Sequence, residues 1–186
     1  MNNIVKIIML SFLAGILFSG CESIPAKNSD ASTPTETYKY DVTDEAIIDA
    51  SPDVVYRALV DECSGKTNWW QPRLSAKLRQ GTSSDEIGAV TDITIGKIKL
   101  VAKTVEVKKN ELVRINYFEG PFRGEDLWKL ENVDGKSKIS FRWQANPSGI
   151  LIRFFDLFLD IEKSHSEMMK IGFDNLNKFL KEQSPN

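Results

Sequence analysis

The chain has 186 residues, with 24 basic and 26 acidic side chains, one histidine and two cysteines. A formal net charge of −2 gives no electrostatic reason to bind nucleic acid or anionic headgroups. One histidine and two cysteines are too few for a structural zinc site, which takes about four such ligands. We therefore expect no nucleic-acid partner, no bound metal and no cofactor.

An apolar run near the N-terminus ends at a cysteine. Lys6 is the only charged residue before Cys21, residues 7–18 are largely apolar, and the small residues Ser19 and Gly20 follow them. These are the parts of an export signal. The run is short for a permanent membrane anchor, because a spanning helix needs roughly 20 apolar residues. Residues 1–20 are therefore predicted to be a signal peptide.

The sequence LFSGC, which ends at Cys21, resembles the lipobox of bacterial lipoproteins. The resemblance implies cleavage just before Cys21 and attachment of a diacylglycerol to its sulfur. Phe18 departs from the usual pattern, which has a smaller aliphatic residue at that position. The alternative is an ordinary cleaved signal in which Cys21 has no special role. The lipoprotein interpretation places the protein in the bacterial cell envelope, on the periplasmic face of the outer membrane.

The segment after the cysteine differs sharply from the rest of the chain. Residues 21–37 are rich in Ser, Thr, Pro, Asn and Asp. Such a composition cannot bury enough apolar surface to fold. We interpret the segment as a flexible tether between a lipidated Cys21 and a folded domain of residues 38–183. A disulfide from Cys21 to Cys63 is disfavoured, because it would hold this polar segment near the core. Cys63 is expected to be reduced and structurally passive.

The domain opens with a strand and a helix. Apolar residues on alternate positions from Tyr40 to Ala50 predict a half-buried strand. Ser51 and Pro52 then match the N-cap and first position of a helix whose apolar face includes Val55 and Leu59. The sequence SGKTNWWQP, residues 64–72, follows as a turn or a second short helix ended by its proline.

From Leu74 to Ala145 the pattern changes to short alternating runs separated by turn residues. Strands with hairpin-length connections predict an antiparallel meander. In residues 97–107 the apolar phase switches from even to odd positions, and a β-bulge near Ala102 would account for the switch.

The chain ends in a long predicted helix. Apolar or weakly polar residues recur at spacings of three and four on a single stripe: Ile161, His165, Met168, Gly172, Leu176 and Phe179. A glycine costs about 1 kcal/mol in a helix relative to alanine, so Gly172 indicates close approach of a sheet or a ligand. The pattern predicts an α+β helix-grip fold, in which a curved antiparallel sheet of about seven strands surrounds the long C-terminal helix. Two short helices are expected after the first strand.

The sequence IIDASPDVVYRALVD resembles the opening of the SRPBCC superfamily, which includes START lipid-transfer and polyketide cyclase/dehydrase-like domains. The positions that match its strand-helix motif are Ile48, Ala50, Ser51, Pro52, Val55, Tyr56 and Leu59. Further similarity lies in NWWQP, in IGAV and in KSKISFRWQANP, although Gly135-Lys136-Ser137 replaces the usual glycine-threonine turn. The resemblance covers residues 38–183 and implies a cavity between sheet and helix that holds a ligand.

The candidate ligand-binding residues are large side chains on the inward phases of this predicted fold. They are Trp70, Tyr117, Trp128, Trp143, His165 and Met168. Core packing is the alternative role for each of them. Asp126 shares the phase of Trp128 and is either a surface charge or a buried carboxylate that needs a raised pKa or a partner such as Arg142 or Lys129. Catalytic residues are not assigned, because His165 is the only histidine and no nucleophile motif is present.

The stretch GILIRFFDLFLDI, residues 149–161, is apolar almost all the way round. A helix of this kind must be buried or must face something apolar. We consider two roles for it: an irregular entry to the last helix packed over the cavity, or a hydrophobic lid that receives a ligand or touches the bilayer.

Three functions fit these features. The first is an envelope lipoprotein that binds a small hydrophobic molecule or lipid. The second is a cyclase- or dehydratase-like enzyme acting on such a molecule, and the third is a scaffold that binds a partner. The scarcity of titratable groups on inward positions favours binding over catalysis, and the oligomeric state stays open.

Overall fold

The computed structural model describes residues 37–149 and 160–183. The predictions for the signal peptide, for Cys21 and for nearly all of the tether lie outside these ranges, as does most of the apolar stretch of residues 149–161. The elements, in chain order, are β1 (Tyr40–Ile48), α1 (Pro52–Cys63), β2 (Leu74–Gln80), β3 (Val90–Ile95), β4 (Ile98–Lys108), β5 (Leu112–Glu119), β6 (Phe122–Val133), β7 (Lys136–Pro147) and α2 (Ile161–Gln183).

The seven strands form one antiparallel sheet with the order β1-β7-β6-β5-β4-β3-β2. Strands β2 to β7 are consecutive neighbours, as expected for a meander with hairpin connections. Strand β1 adds to the far edge beside β7, with Tyr40 opposite Ala145 and Ile48 opposite Ser137. The predicted α+β architecture is confirmed.

The alternation of apolar residues correctly predicted which face of each strand points inward. On β7, Ile139, Phe141, Trp143 and Ala145 are all buried, while the intervening residues are half-buried or exposed. The outer face is polar and carries ion pairs between neighbouring strands, such as Arg142 with Asp41 at 2.6 Å. One face of the sheet is therefore core and the other is solvated.

Two irregularities interrupt the pairing of β4 with β5. The register shifts between Val101 and Ala102, where the sequence predicted a bulge, and again between Thr104 and Glu106. The inward phase is nevertheless kept through Thr104, which is 2% exposed, whereas Val105 is 37% exposed. The sequence left the inward phase of this strand unclear; in the structure Thr104 points inward, where its hydroxyl donates a 2.7 Å hydrogen bond to the carbonyl of Ser84.

Helix α1 begins at Pro52, as predicted, and Ser51 has the extended backbone of an N-cap. The Ser51 hydroxyl does not cap the helix; it donates to Asp53 at 2.6 Å instead. Residues 64–73 form turns, so a single regular helix lies between β1 and β2 and not the two short helices expected. These turns carry Trp69 and Trp70 back toward the core.

Helix α2 packs against β1 and buries Met169, Gly172, Phe173, Leu176 and Leu180. One side chain also ties the helix to the end of β1: the Asn177 amide accepts from the backbone N–H of Asp49 at 2.9 Å and donates to the carbonyl of Ile47 at 3.2 Å. Of the helices in the described ranges, none is long and apolar enough to span a membrane.

Candidate functional site

A cavity of about 540 Å³ lies between the inner face of the sheet and α2. Strands β2 to β7 all contribute to its wall, and α2 supplies residues from its first two turns. The aliphatic lining residues are Leu74, Ala76, Ile93, Ile95, Ile98, Leu100, Ile115 and Ile161. The size and the apolar lining are those of a typical small-molecule site.

The structure brings all six predicted ligand-binding residues to this one cavity. Tyr117, Trp128 and Trp143 line it from β5, β6 and β7, Trp70 from the turns after α1, and His165 and Met168 from α2. Phe122, Phe141 and Met169 complete the wall and were not predicted. Contact with a ligand stays a prediction for each of these residues.

The aromatic side chains of the wall form one chain of ring contacts with two ends, joined by Phe141, whose ring lies 4.3 Å from that of Trp128 and 5.5 Å from that of His165. At one end Trp70 stacks on Trp69 with ring centroids 5.1 Å apart and meets Trp128 edge-on at 5.8 Å. At the other end Trp143 is sandwiched between Tyr40 and His165, with centroids 5.3 and 4.7 Å away and nearly parallel planes. Aromatic pairs of this kind add about 0.5–1.5 kcal/mol each beyond their burial. The wall is thus a fixed surface rather than a set of independent rings.

Trp70 owes its position to a buried carboxylate. Glu62 is 1% exposed and accepts hydrogen bonds from the backbone N–H groups of Trp69 and Trp70, at 3.0 and 3.3 Å, and from the Thr67 hydroxyl at 2.7 Å. Three donors at one carboxylate compensate for its burial. The signal for this role was in the sequence: Glu62 continues the apolar face of α1 that contains Val55 and Leu59.

Gly172 lets α2 approach the indole of Trp70. A Cβ atom built on Gly172 would lie 2.4 Å from Cε2 and 2.5 Å from Nε1 of Trp70. Real Cβ atoms essentially never come so close to another heavy atom. The sequence indicated that a sheet or a ligand lies against this glycine, and the structure shows a tryptophan of the cavity wall instead.

Asp126 is the carboxyl group of the cavity wall. It is 4% exposed, and its Oδ2 accepts a very short hydrogen bond from the hydroxyl of Tyr117. Burial raises the pKa of Asp126 to about 8; the Tyr117 hydroxyl lowers the pKa, and the charge of Glu125 raises it. A buried carboxyl without a cation is expected to behave in this way. Asp126 is therefore predominantly a neutral acid at pH 7.

The structure corrects the two partners proposed for Asp126. Arg142 points to the other face of the sheet, where its Nε and Nη2 atoms donate to the Asp41 carboxylate at 2.7 and 2.6 Å. Lys129 is exposed. Both belong to the outward phase of their strands, because Asp126 and Lys129 differ by an odd number of positions and Arg142 alternates with Trp143. The alternative of a surface charge is also wrong.

His165 lies opposite an acidic residue of β1. Its Nδ1 is 3.2 Å from Oδ2 of Asp44, and both side chains are largely buried. Burial lowers the pKa of His165 and the Asp44 charge opposes that shift. Asp44 was missed, although it lies on the inward phase between Val42 and Ala46 and so carried the same signal as its apolar neighbours. The pair supports packing and orientation of the imidazole against Trp143.

Cys63 is the last residue of α1, and its thiol is free. The sequence did not indicate that this cysteine lines the cavity, as it does in the structure. Burial, together with the charges of Glu62 and Asp126, raises the pKa of its thiol to about 12. The thiol is thus protonated and weakly nucleophilic at neutral pH.

A second, smaller cavity of about 50 Å³ lies on the other side of Cys63 and Trp128. Both residues line the two cavities, as do Ile93 and Ile115. Tyr56 closes part of the smaller cavity, and its hydroxyl donates to Asp85 at 2.9 Å. The smaller space is mostly apolar and is separated from the main cavity by these shared side chains.

Buried polar atoms without a hydrogen-bond partner concentrate at the main cavity. Among the described residues these atoms are Trp70 Nε1 and Asp126 Oδ1, which belong to residues that line the cavity, whereas His165 Nδ1 and Asp44 Oδ2 face each other at 3.2 Å. Native proteins satisfy nearly all buried polar groups, so this concentration sets the cavity apart from ordinary core. Three or more acidic, histidine or cysteine residues that could hold a metal ion do not come together anywhere in the described residues.

Known structures share this architecture, whereas no protein-family model and no curated protein matches the sequence significantly. Ara h 8.0201 superposes with a TM-score of 0.58 at 15% identity, over 77% of this chain and 99% of that one. TTHA0849 from Thermus thermophilus superposes with a TM-score of 0.58 at 17% identity, and the match covers 78% of this chain and 100% of that one. DynU16, a protein of the dynemicin biosynthetic locus, superposes with a TM-score of 0.55 at 15% identity, and the match covers 78% of this chain and 48% of that one.

These identities are low enough that the likeness concerns the fold alone. The shared features are the seven-stranded antiparallel sheet, the helix after the first strand and the long C-terminal helix across the concave face. The described residues therefore form a domain with the helix-grip fold.

Proposed function

We propose that the domain binds a small hydrophobic molecule or lipid in the 540 Å³ cavity. The observation that carries the proposal is an apolar cavity whose wall includes Trp70 and Asp126, each with a buried polar atom that has no hydrogen-bond partner among the described residues. A site for an amphipathic small molecule has this composition: apolar walls with a few polar groups that fix orientation.

The size of the cavity supports the same conclusion. Small-molecule sites have volumes of about 300–1,000 Å³, and this cavity, at about 540 Å³, lies within that range. Ala76 is a small residue at its wall and leaves part of this space unfilled. A core packed only for stability would have few voids of this size.

We further propose that the domain is held at the bacterial cell envelope by a lipid on Cys21. Support comes from the sequence: the apolar run of residues 7–18, the lipobox-like LFSGC, and the polar segment that separates Cys21 from β1. The arrangement would keep the cavity near a membrane that can supply or receive an apolar ligand. The periplasmic face of the outer membrane is the proposed location.

The binding proposal predicts uptake of a neutral apolar dye by the cavity. Phenylnaphthylamine should brighten on binding with micromolar affinity. Leu100→Trp should weaken binding at least tenfold, because Leu100 lines the cavity and the added ring fills it. The measurement is a fluorescence titration of each purified protein.

Val105→Trp is the matched control for the dye experiment. Val105 lies on the same strand, β4, but is 37% exposed on the outer side, so its substitution should leave dye affinity unchanged. Absence of dye binding to the folded wild type, or equal losses in both variants, would contradict the proposed function.

The anchor proposal predicts covalent labelling of the chain by a fatty-acid analogue. Cells that express the wild type should yield a labelled, membrane-associated protein, and Cys21→Ser should remove the label. Cys63→Ser is the control, because Cys63 is a free thiol at the end of α1 and its substitution is expected to leave labelling intact. Equal labelling of wild type and Cys21→Ser would disprove the anchor.

A cyclase- or dehydratase-like activity is a second candidate function. It is favoured by one observation, that a neutral acid, Asp126, and a neutral imidazole, His165, line the same cavity. Groups with displaced pKa values of this kind can act in proton transfer. Native mass spectrometry of the purified protein detects a bound molecule, which is then extracted and added back to ligand-free protein. A binding protein leaves the mass of that molecule unchanged, whereas an enzyme converts it into a product of different structure.

A further inference from the structure

One oxygen of Asp126 is the most unusual polar atom of the cavity wall. Asp126 is 4% exposed, Tyr117 donates its hydroxyl to Oδ2, and Oδ1 has no hydrogen-bond partner among the described residues. Within those residues no lysine or arginine pairs with it, since Arg142 is bound to Asp41 on the outer face. The carboxyl is therefore half satisfied: Asp126 lines the cavity, but Oδ1 has less than 1 Å² of accessible surface, so a ligand reaches it only when a neighbouring side chain moves.

The groups around Asp126 decide its protonation state. Tyr117 faces it from β5, Cys63 from α1 and Glu125 adjoins it on β6, so each ionisable neighbour is neutral or acidic. His165 reaches the same cavity from α2 with a lowered pKa. A neutral carboxyl whose Oδ2 accepts from Tyr117 carries its proton most favourably on Oδ1. A protonated carboxyl is one O–H donor.

We propose that the cavity takes an apolar molecule with one carbonyl-type oxygen, and that the Oδ1–H group of Asp126 donates a hydrogen bond to that oxygen. The proposal rests on the ligand-binding function proposed above and names the chemical class of its ligand. Asp126 would then be the residue that selects and orients the ligand, while the aromatic wall supplies affinity.

A neutral acceptor fits this carboxyl better than an ammonium group does. An ammonium would have to ionise Asp126 and would lose its own hydration inside an apolar cavity, and buried ion pairs often fail to recover such desolvation. A carbonyl oxygen requires neither step. The hydrogen bond instead satisfies a buried donor that otherwise has no partner.

Three naphthalene derivatives of the same shape test the proposal: the ketone acetylnaphthalene, the alkene isopropenylnaphthalene, in which CH₂ replaces the carbonyl oxygen, and naphthylethylamine. The full chain is held in phospholipid nanodiscs, and empty nanodiscs are the blank for partitioning. At about pH 6 the wild type should bind the ketone about tenfold more tightly than the alkene, the worth of one net hydrogen bond.

The ratio of the two affinities is measured in each protein, so changes in stability do not obscure it. Asp126→Leu should reduce the ratio to about one. Asp126→Asn retains an N–H donor and should keep part of the preference for the ketone. If Asp126→Leu fails to fold, the double variant Tyr117→Phe/Asp126→Leu replaces both partners by apolar groups, which is often nearly neutral for stability.

A pH series provides an independent readout in the wild type. The ketone preference should disappear as pH rises through about 8, because Asp126 ionises there, while Cys63 and Tyr117 ionise at higher pH and His165 at lower pH. Equal binding of ketone and alkene would overturn the inference but not the proposed function. Tightest binding of the amine, rising with pH, would also overturn it. Binding of none of the three probes would remove the proposed function as well.

Discussion

Replacing Asp126 by asparagine is expected to make the domain's stability far less dependent on pH between about 4 and 8. In the unfolded chain an aspartate has a pKa of about 3.9, whereas burial raises the pKa of Asp126 in the folded protein to about 8. The folded state therefore holds one more proton than the unfolded state throughout this window. Its stabilising effect is complete below about pH 4 and is lost as pH rises through about 8.

The expected size follows from the displacement of the pKa. Each unit corresponds to about 1.4 kcal/mol, so the wild type should lose roughly 3–5 kcal/mol of unfolding free energy between about pH 4 and pH 8. Asp126→Asn stays neutral, still accepts from Tyr117 and should lose little. Urea unfolding followed by tryptophan fluorescence at several pH values measures the difference between the two proteins.

Two features keep this experiment interpretable. His165 has a lowered pKa and contributes in the opposite sense, since its stabilising effect is lost as pH falls below about 6.5; it is present in both proteins and cancels in the difference. Glu131→Gln is the matched control, because Glu131 lies on the same strand but is exposed. Parallel pH profiles for wild type and Asp126→Asn would show that Asp126 is ionised or solvated in the folded protein.

The fold was predictable from the sequence because its elements are amphipathic along most of their length. Two-residue alternation on β1, β6 and β7 determines the face that each strand buries, and hairpin-length connections determine their order. The three- and four-residue spacing of α2 predicted the helix and part of its inner face: Gly172 and Leu176 of the predicted stripe are buried, but Met169, Phe173 and Leu180 are buried as well and were not on it. The same pattern brought the six predicted wall residues to one cavity, because inward residues of neighbouring strands share a single concave surface.

The polar part of the site was less accessible to this reasoning. Strand alternation indicates the face on which Asp126 lies and places Arg142 and Lys129 on the opposite face, but the neighbours of the carboxyl across the cavity wall, Tyr117 and Cys63, depend on tertiary packing. Glu62 and Asp44 lie on inward phases as well and were overlooked because a charged side chain is ordinarily a surface residue. A carboxylate on an apolar face is itself the signal to examine.

The contact between Gly172 and Trp70 predicts that Gly172→Ala lowers the free energy of unfolding of the wild type but raises that of a Trp70→Ala variant. Alanine in place of a helical glycine normally stabilises by about 1 kcal/mol. At position 172 the new Cβ would lie 2.4 Å from the Trp70 indole. Trp70 is 2% exposed and its ring is stacked on that of Trp69. Its backbone N–H donates to the Glu62 carboxylate, so the indole has little room to move.

Gly172→Ala should therefore destabilise the wild type by about 1–2 kcal/mol, since overpacking of a core costs about 1–3 kcal/mol and the helix recovers part of it. Trp70→Ala alone should cost about 3–5 kcal/mol, and in that background Gly172→Ala should stabilise instead. A double-mutant cycle from urea unfolding measures this coupling. Asp174→Ala, on the exposed side of α2, should have the same effect in both backgrounds. If Gly172→Ala stabilises the wild type, the indole does not lie against this glycine, and Trp70 is not a fixed part of the cavity wall.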